Sequence, residues 1–77
     1  MPKPLSIERC QRLLRILGWS WGPCGPDDDR GIGYRIRCSR DDDGFSARGE
    51  SMQATWNESL RIAGRVQRGQ PLPMDIY

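Results

Sequence analysis

Ile32, Tyr34, Ile36 and Cys38 alternate with Gly33, Arg35, Arg37 and Ser39. A period of two is what a β-strand with one buried face requires, and it sets Arg35 and Arg37 on the other face. The segments before and after follow a helical period instead. Ile7, Cys10, Leu13, Leu14 and Leu17 form one apolar stripe, with Ser6 placed to cap the first turn and Gly18 to end the last. Met52, Thr55, Trp56, Ser59, Leu60, Ala63 and Val66 share one face of a second helix, opposite Asn57, Glu58, Arg61, Arg65 and Arg68. Ser51 is its expected cap, Glu50 sits favourably against the positive end of its dipole, and Gly69 closes it.

Helices are therefore expected at 6–17 and 51–66. Strands are expected at 19–21, where Trp19-Ser20-Trp21 alternates, at 32–38, and at 45–48. Gly22 to Gly31 reads as a loop, with two prolines, three glycines and Asp27-Asp28-Asp29, and Arg40 to Gly44 as a tight turn. Residues 69–77 read as an extended tail. Each helix and each strand has one apolar face. The expected architecture is a single α+β domain over 1–77: a two-layer α-β-β-β-α sandwich with a three-stranded antiparallel meander and both helices on one face. Trp19, Trp21, Tyr34, Phe45 and Trp56 supply the bulk of a core that a chain of 77 residues needs.

This order and length resemble the double-stranded-RNA-binding domain, which has the same α-β-β-β-α topology. The resemblance implies phosphate contacts at the start of the last helix. The matching stretch is Gly49-Glu50-Ser51-Met52-Gln53-Ala54, where the Gly and Ser positions fit, the family's lysines are absent and an acid stands among them. Gly44 to Ile62 is also similar to the strand-turn-helix of HicB-type antitoxins.

The chain has no histidine, which removes the usual general base near neutral pH and with it Ser-His and Cys-His nucleophiles. The triplets Asp27-Asp28-Asp29 and Asp41-Asp42-Asp43 flank the strand 32–38, so seven residues hold them roughly 23 Å apart. Both read as solvated turns. Cys10, Cys24 and Cys38 lack the paired spacing of a zinc site. Cys10 and Cys38 read as core residues, and Cys24 as an incidental loop thiol. No catalytic residue, metal site or cofactor is expected, and the chain is read as a non-enzyme.

Eleven of the twelve basic residues are Arg, and the net charge is +2. Arg grips carboxylates and phosphates through a planar fork that Lys lacks. Two candidate binding surfaces follow. One is the outward sheet face, with Arg35, Arg37 and Arg48. The other is the outer side of the first helix, where Ile16 falls between Arg9 and Arg12 on the helical wheel. An apolar centre ringed by Arg suits a protein contact. The expected function is a small protein-binding module, an inhibitor, antitoxin-like factor or adaptor of a larger partner, with nucleic-acid binding through the same arginines as the alternative. A homodimer through a sheet edge or the tail is a further expectation. Nothing resembles a signal peptide, no apolar run reaches membrane length, and three cysteines, an odd number without close spacing, argue against a secreted disulfide framework, so a cytoplasmic location is expected.

Overall fold

The computed structural model describes residues 4–28, 31–67 and 69. In chain order these form helix α1 (Ile7–Ile16), strands β1 (Ser20–Trp21), β2 (Gly25–Pro26), β3 (Tyr34–Arg40) and β4 (Asp43–Gly49), and helix α2 (Met52–Gln67). The strands make one antiparallel sheet, with β1 and β2 on one side of β3 and β4 on the other. The α+β order of helix, strands and helix is the expected one. The tail beyond Gly69 lies outside the described residues.

Local signals set the helix ends. The Ser6 side chain accepts from the Arg9 amide at 3.2 Å, and Ser51 accepts from Ala54 at 3.1 Å. Gly18 adopts φ 89°, which lets its amide reach the Arg15 carbonyl and the Trp19 amide reach Leu14, consuming two carbonyls the helix leaves over. This turn drops Trp19 into the core directly after α1.

Between β1 and β2 the register slips. Trp21 faces Cys38 and Gly25 faces Arg35, so Gly22, Pro23 and Cys24 stand against only Ile36 and Arg37. The extra residue is a β-bulge. The loop expected from Gly22 to Gly31 is thus corrected: the first ribbon resumes at Gly25–Pro26. Two prolines obscured it, and both are tolerable because this is an edge strand.

Two further boundaries differ from expectation. Arg40 and Asp43 are paired strand residues, so only Asp41 and Asp42 form the turn, with Asp41 at φ 51°. Ile32 is not the first inward residue of β3. It is 74% exposed, because Gly33 at φ 78° turns the chain before the strand begins at Tyr34.

The core lies between the sheet and the helices. Cys10 and Leu14 come from α1, Ile36, Cys38, Phe45 and Ala47 from the sheet, and Trp56, Ile62 and Ala63 from α2. Trp19 meets Phe45 edge-on at 4.9 Å between centroids, and Trp21 meets Trp56 at 5.4 Å, the favoured geometry for aromatic pairs. Gly49 is packed so closely on the first turn of α2 that a Cβ there would lie 2.6 Å from the Thr55 nitrogen. The lead-in is held as well. Asn57 on α2 accepts from the Leu5 amide at 2.8 Å and donates to its carbonyl at 2.9 Å.

Candidate functional site

Two surfaces carry the expected binding residues. On α1, Arg9, Arg12, Arg15 and Ile16 are exposed while Cys10 and Leu14 on the opposite side are buried. Ile16 is 72% exposed. At 100° per residue it falls between Arg9 and Arg12, next to half-buried Leu13. Arg15 lies on the other flank, its guanidinium 5.6 Å from the centre of the Trp21 ring. The residues that flank Ile16 are therefore Arg9 and Arg12, while Arg15 serves the junction between α1 and β1. A shallow groove of about 290 Å³ beside them is lined by Glu8, Gln11, Arg12 and Arg15.

The outward sheet face is built by the β3–β4 register. Arg35 stands opposite Arg48 and Arg37 opposite Ser46, with Ile36 and Cys38 facing the helices between them. The three arginines do share one face. Arg37 is exposed, whereas Arg35 and Arg48 are half-buried. A hollow of about 170 Å³ beside the bulge is lined by Gly22, Pro23, Gly25, Pro26, Arg35 and Arg37, smaller than the roughly 300 Å³ at which ligand pockets begin.

This face is not purely basic. Asp27, expected as a solvated turn residue, is only 2% exposed. Its Oδ2 accepts from Arg48 Nε at 2.9 Å, and its amide donates to the Gly33 carbonyl at 3.1 Å. Because Asp27 follows Pro26 on the ribbon that flanks β3, its carboxylate reaches the outward face and meets an arginine from the far strand. The ion pair spans the sheet. Asp27 Oδ1 is buried without a hydrogen-bond partner among the described residues. Nothing distinguishes Asp27 from Asp28 in the sequence, so only the strand register could single it out. The separation of the two acidic segments stands: Asp27 lies beside Gly33 at the start of β3, and Asp43 pairs with Arg40 at its end.

Arg40 was also missed. It shares the inward parity of Ile36 and Cys38, and its Nη1 donates to the Leu17 carbonyl at 3.1 Å and to Gln67 Oε1 at 3.2 Å. Its guanidinium lies 4.7 Å from the centre of the Trp19 ring. One side chain thus ties the C-terminal ends of both helices to the sheet.

Burial raises the pKa of all three thiols. Cys38 is pushed up to about 12, first by desolvation and then by neighbouring Cys24. All three are protonated thiols near neutrality, so none is activated as a nucleophile in the protein as it stands. Cys24 is half-buried against the core, more enclosed than a loop thiol. Among the described residues, no three His, Cys, Asp or Glu side chains converge to hold a metal ion, and no helix is long and apolar enough to cross a membrane.

In comparisons with known proteins, no family model, curated protein or solved structure matches this chain.

Proposed function

We propose that this chain is a protein-binding module that docks a larger partner through the outer side of α1. Such a module acts stoichiometrically, as an inhibitor, antitoxin-like factor or adaptor. The observation that carries this reading is Ile16, 72% exposed between Arg9 and Arg12 on a helix whose opposite face is buried. A large aliphatic side chain in water gains about 1.5–3 kcal/mol when an interface covers it. Two flanking guanidinium groups favour a partner that presents an apolar pocket rimmed by carboxylates, because each Arg fork grips a carboxylate in two places.

The sheet face supports nucleic-acid binding less well. Phosphate tracking needs uncompensated positive charge, and there Arg48 holds the buried carboxylate of Asp27. With a net charge of +2, the chain also lacks a strong general pull toward polyanions.

The test places a photo-crosslinking residue at position 16 in the cell of origin. One stoichiometric protein adduct, lost with Arg9→Glu/Arg12→Glu while the circular dichroism spectrum is unchanged, supports the reading. Adducts with nucleic acid, or a protein adduct indifferent to the two charge reversals, overturn it.

A further inference from the structure

Most arginines of the sheet and of α2 are engaged within the fold. Arg48 meets Asp27, Arg61 meets Glu58, and Arg40 joins Leu17, Gln67 and the Trp19 ring. Neither Arg35 nor Arg37 is without a partner. Helix α1 differs. Among the described residues, the side chains of Arg9 and Arg12 make no hydrogen bond or ion pair, and Arg15 meets an aromatic ring, not an acid.

The three arginines recur every third residue, which sets neighbouring Cβ atoms about 5–6 Å apart and makes their charges repel. Arg12 and Arg15 form two walls of the groove of about 290 Å³, with Gln11 and Glu8 as the others. Glu8 stands one turn before Arg12, yet no ion pair joins them among the described residues. The groove therefore holds two positive charges, one negative charge and an amide donor. One further carboxylate would neutralise it.

Arg15 is also held in place. Its guanidinium lies 5.6 Å from the centre of the Trp21 ring, and that ring is itself braced edge-on against Trp56 at 5.4 Å. A guanidinium resting on a fixed ring has already given up part of its freedom, so less is lost when its fork closes on a ligand.

We propose that the groove between Arg12 and Arg15 is a subsite for one carboxylate of the partner, an acidic residue placed beside the apolar pocket that receives Ile16. This rests on the partner-binding reading and adds a second, charged contact to it. At the helix surface the midpoint of Arg12 and Arg15 lies roughly 8 Å from Ile16, which fixes the spacing the partner must present. Trp21 acts as a positioning residue through Arg15. A nucleic-acid backbone fits less well, because a phosphate beside the bound one would approach Glu8, whereas a lone side-chain carboxylate brings no such neighbour.

Arginine Nε–H resonances of the full chain, followed by NMR during titration with acetate at constant ionic strength, test the subsite without the partner. Chloride and inorganic phosphate serve as comparison anions. The expected result is that Arg12 and Arg15 shift together along one saturating curve with acetate, while Arg9 and Arg65 move little. Arg15→Lys keeps the charge and loses the fork, and is expected to weaken acetate binding about fivefold, the scale of an exposed ion pair. Trp21→Leu, with its fold checked by circular dichroism, is expected to weaken it in the same direction while both arginines remain. Equal shifts at all four arginines, or equal shifts with chloride, overturn the proposal. Stronger binding of phosphate than of acetate at Arg12 and Arg15 overturns it in favour of a phosphate ligand. Full affinity in Arg15→Lys also overturns it. The crosslink at position 16 reports on the partner and the acetate titration on the groove, so the two readings fail separately.

Discussion

Arg48 donates from Nε to Asp27 Oδ2 at 2.9 Å, joining the two outer ribbons of the sheet across the strand between them, with 16% of the arginine side chain and 1% of the aspartate side chain exposed. The pair turns what would be three like charges on one face into a mixed surface. It also fixes where the first ribbon ends, because Asp27 is the residue that follows β2.

The asymmetry of burial sets the consequence of breaking that pair. Arg48→Ala leaves a buried carboxylate without its charge partner, whereas Asp27→Ala leaves an arginine that can still reach water. Losing one member of a buried pair is strongly destabilising, by about 3–5 kcal/mol where the remaining charge stays enclosed. Urea denaturation is expected to show Arg48→Ala at the lower end of that range and Asp27→Ala less affected. The double variant Asp27→Ala/Arg48→Ala is expected to be more stable than Arg48→Ala alone. Equal losses in the two single variants would contradict this.

Arg40 gives a second prediction, about shape as well as charge. Its Nη1 donates to both the Leu17 carbonyl and Gln67 while the guanidinium lies 4.7 Å from the centre of the Trp19 ring. A lysine ammonium keeps the charge but, on a shorter side chain with no planar group, cannot reach the two acceptors while also covering the Trp19 ring. Arg40→Lys is therefore expected to lose about 1–2 kcal/mol, nearly as much as Arg40→Ala. Both are expected to shift the tryptophan emission, since a cation leaves the Trp19 ring. Full stability in the lysine variant would show that charge alone suffices.

Much of the frame was legible because its signals are local. Ser6, Gly18 and Ser51 mark their helix ends through bonds spanning only a few residues, and the alternation around Tyr34, Ile36 and Cys38 names the inward face directly. The exposure of Ile16 followed from its place on the wheel. What was illegible depends on long-range register or on backbone sign. Asp27 is indistinguishable from Asp28 until Arg48 is placed by pairing between β3 and β4. Ile32 keeps the parity of Tyr34 in sequence, but positive φ at Gly33 breaks that parity in space. Gly25–Pro26 was hidden because a proline in a strand is tolerated only at an edge, and the sequence does not say which strand is the edge. Arg40 did carry the parity signal; its charge suggested a turn.

Gly31 and Gly33 form a natural comparison. Both adopt left-handed backbone, φ 76° and 78°, but a Cβ at Gly31 meets nothing within 4 Å, whereas one at Gly33 would lie 2.6 Å from the Gly49 carbonyl oxygen. Gly31→Ala is expected to show only the conformational penalty, about 1–2 kcal/mol. Gly33→Ala carries the same penalty and must also push β4 away from the start of β3. Thermal melts are expected to rank wild type above Gly31→Ala and Gly31→Ala well above Gly33→Ala. Similar melting temperatures for the two variants would mean that the Gly33–Gly49 approach is looser than described.

The thiols make stability fall in alkali. Burial holds Cys38 protonated up to about 12, against an ordinary value of 9.0, and also raises Cys10 and Cys24. A folded-state pKa above the unfolded one means that the native protein binds more protons in the interval between them. This contribution is complete below pH 9 and is lost as pH rises toward 12. Unfolding free energy is expected to decline over that window, and the decline to be shallower in Cys38→Ala at the same temperature. The same burial predicts that native Cys10 and Cys38 resist a thiol reagent at mildly alkaline pH, while all three cysteines react in denaturant. Rapid labelling of Cys38 in the native protein would show that its side of the sheet opens far below the global unfolding free energy.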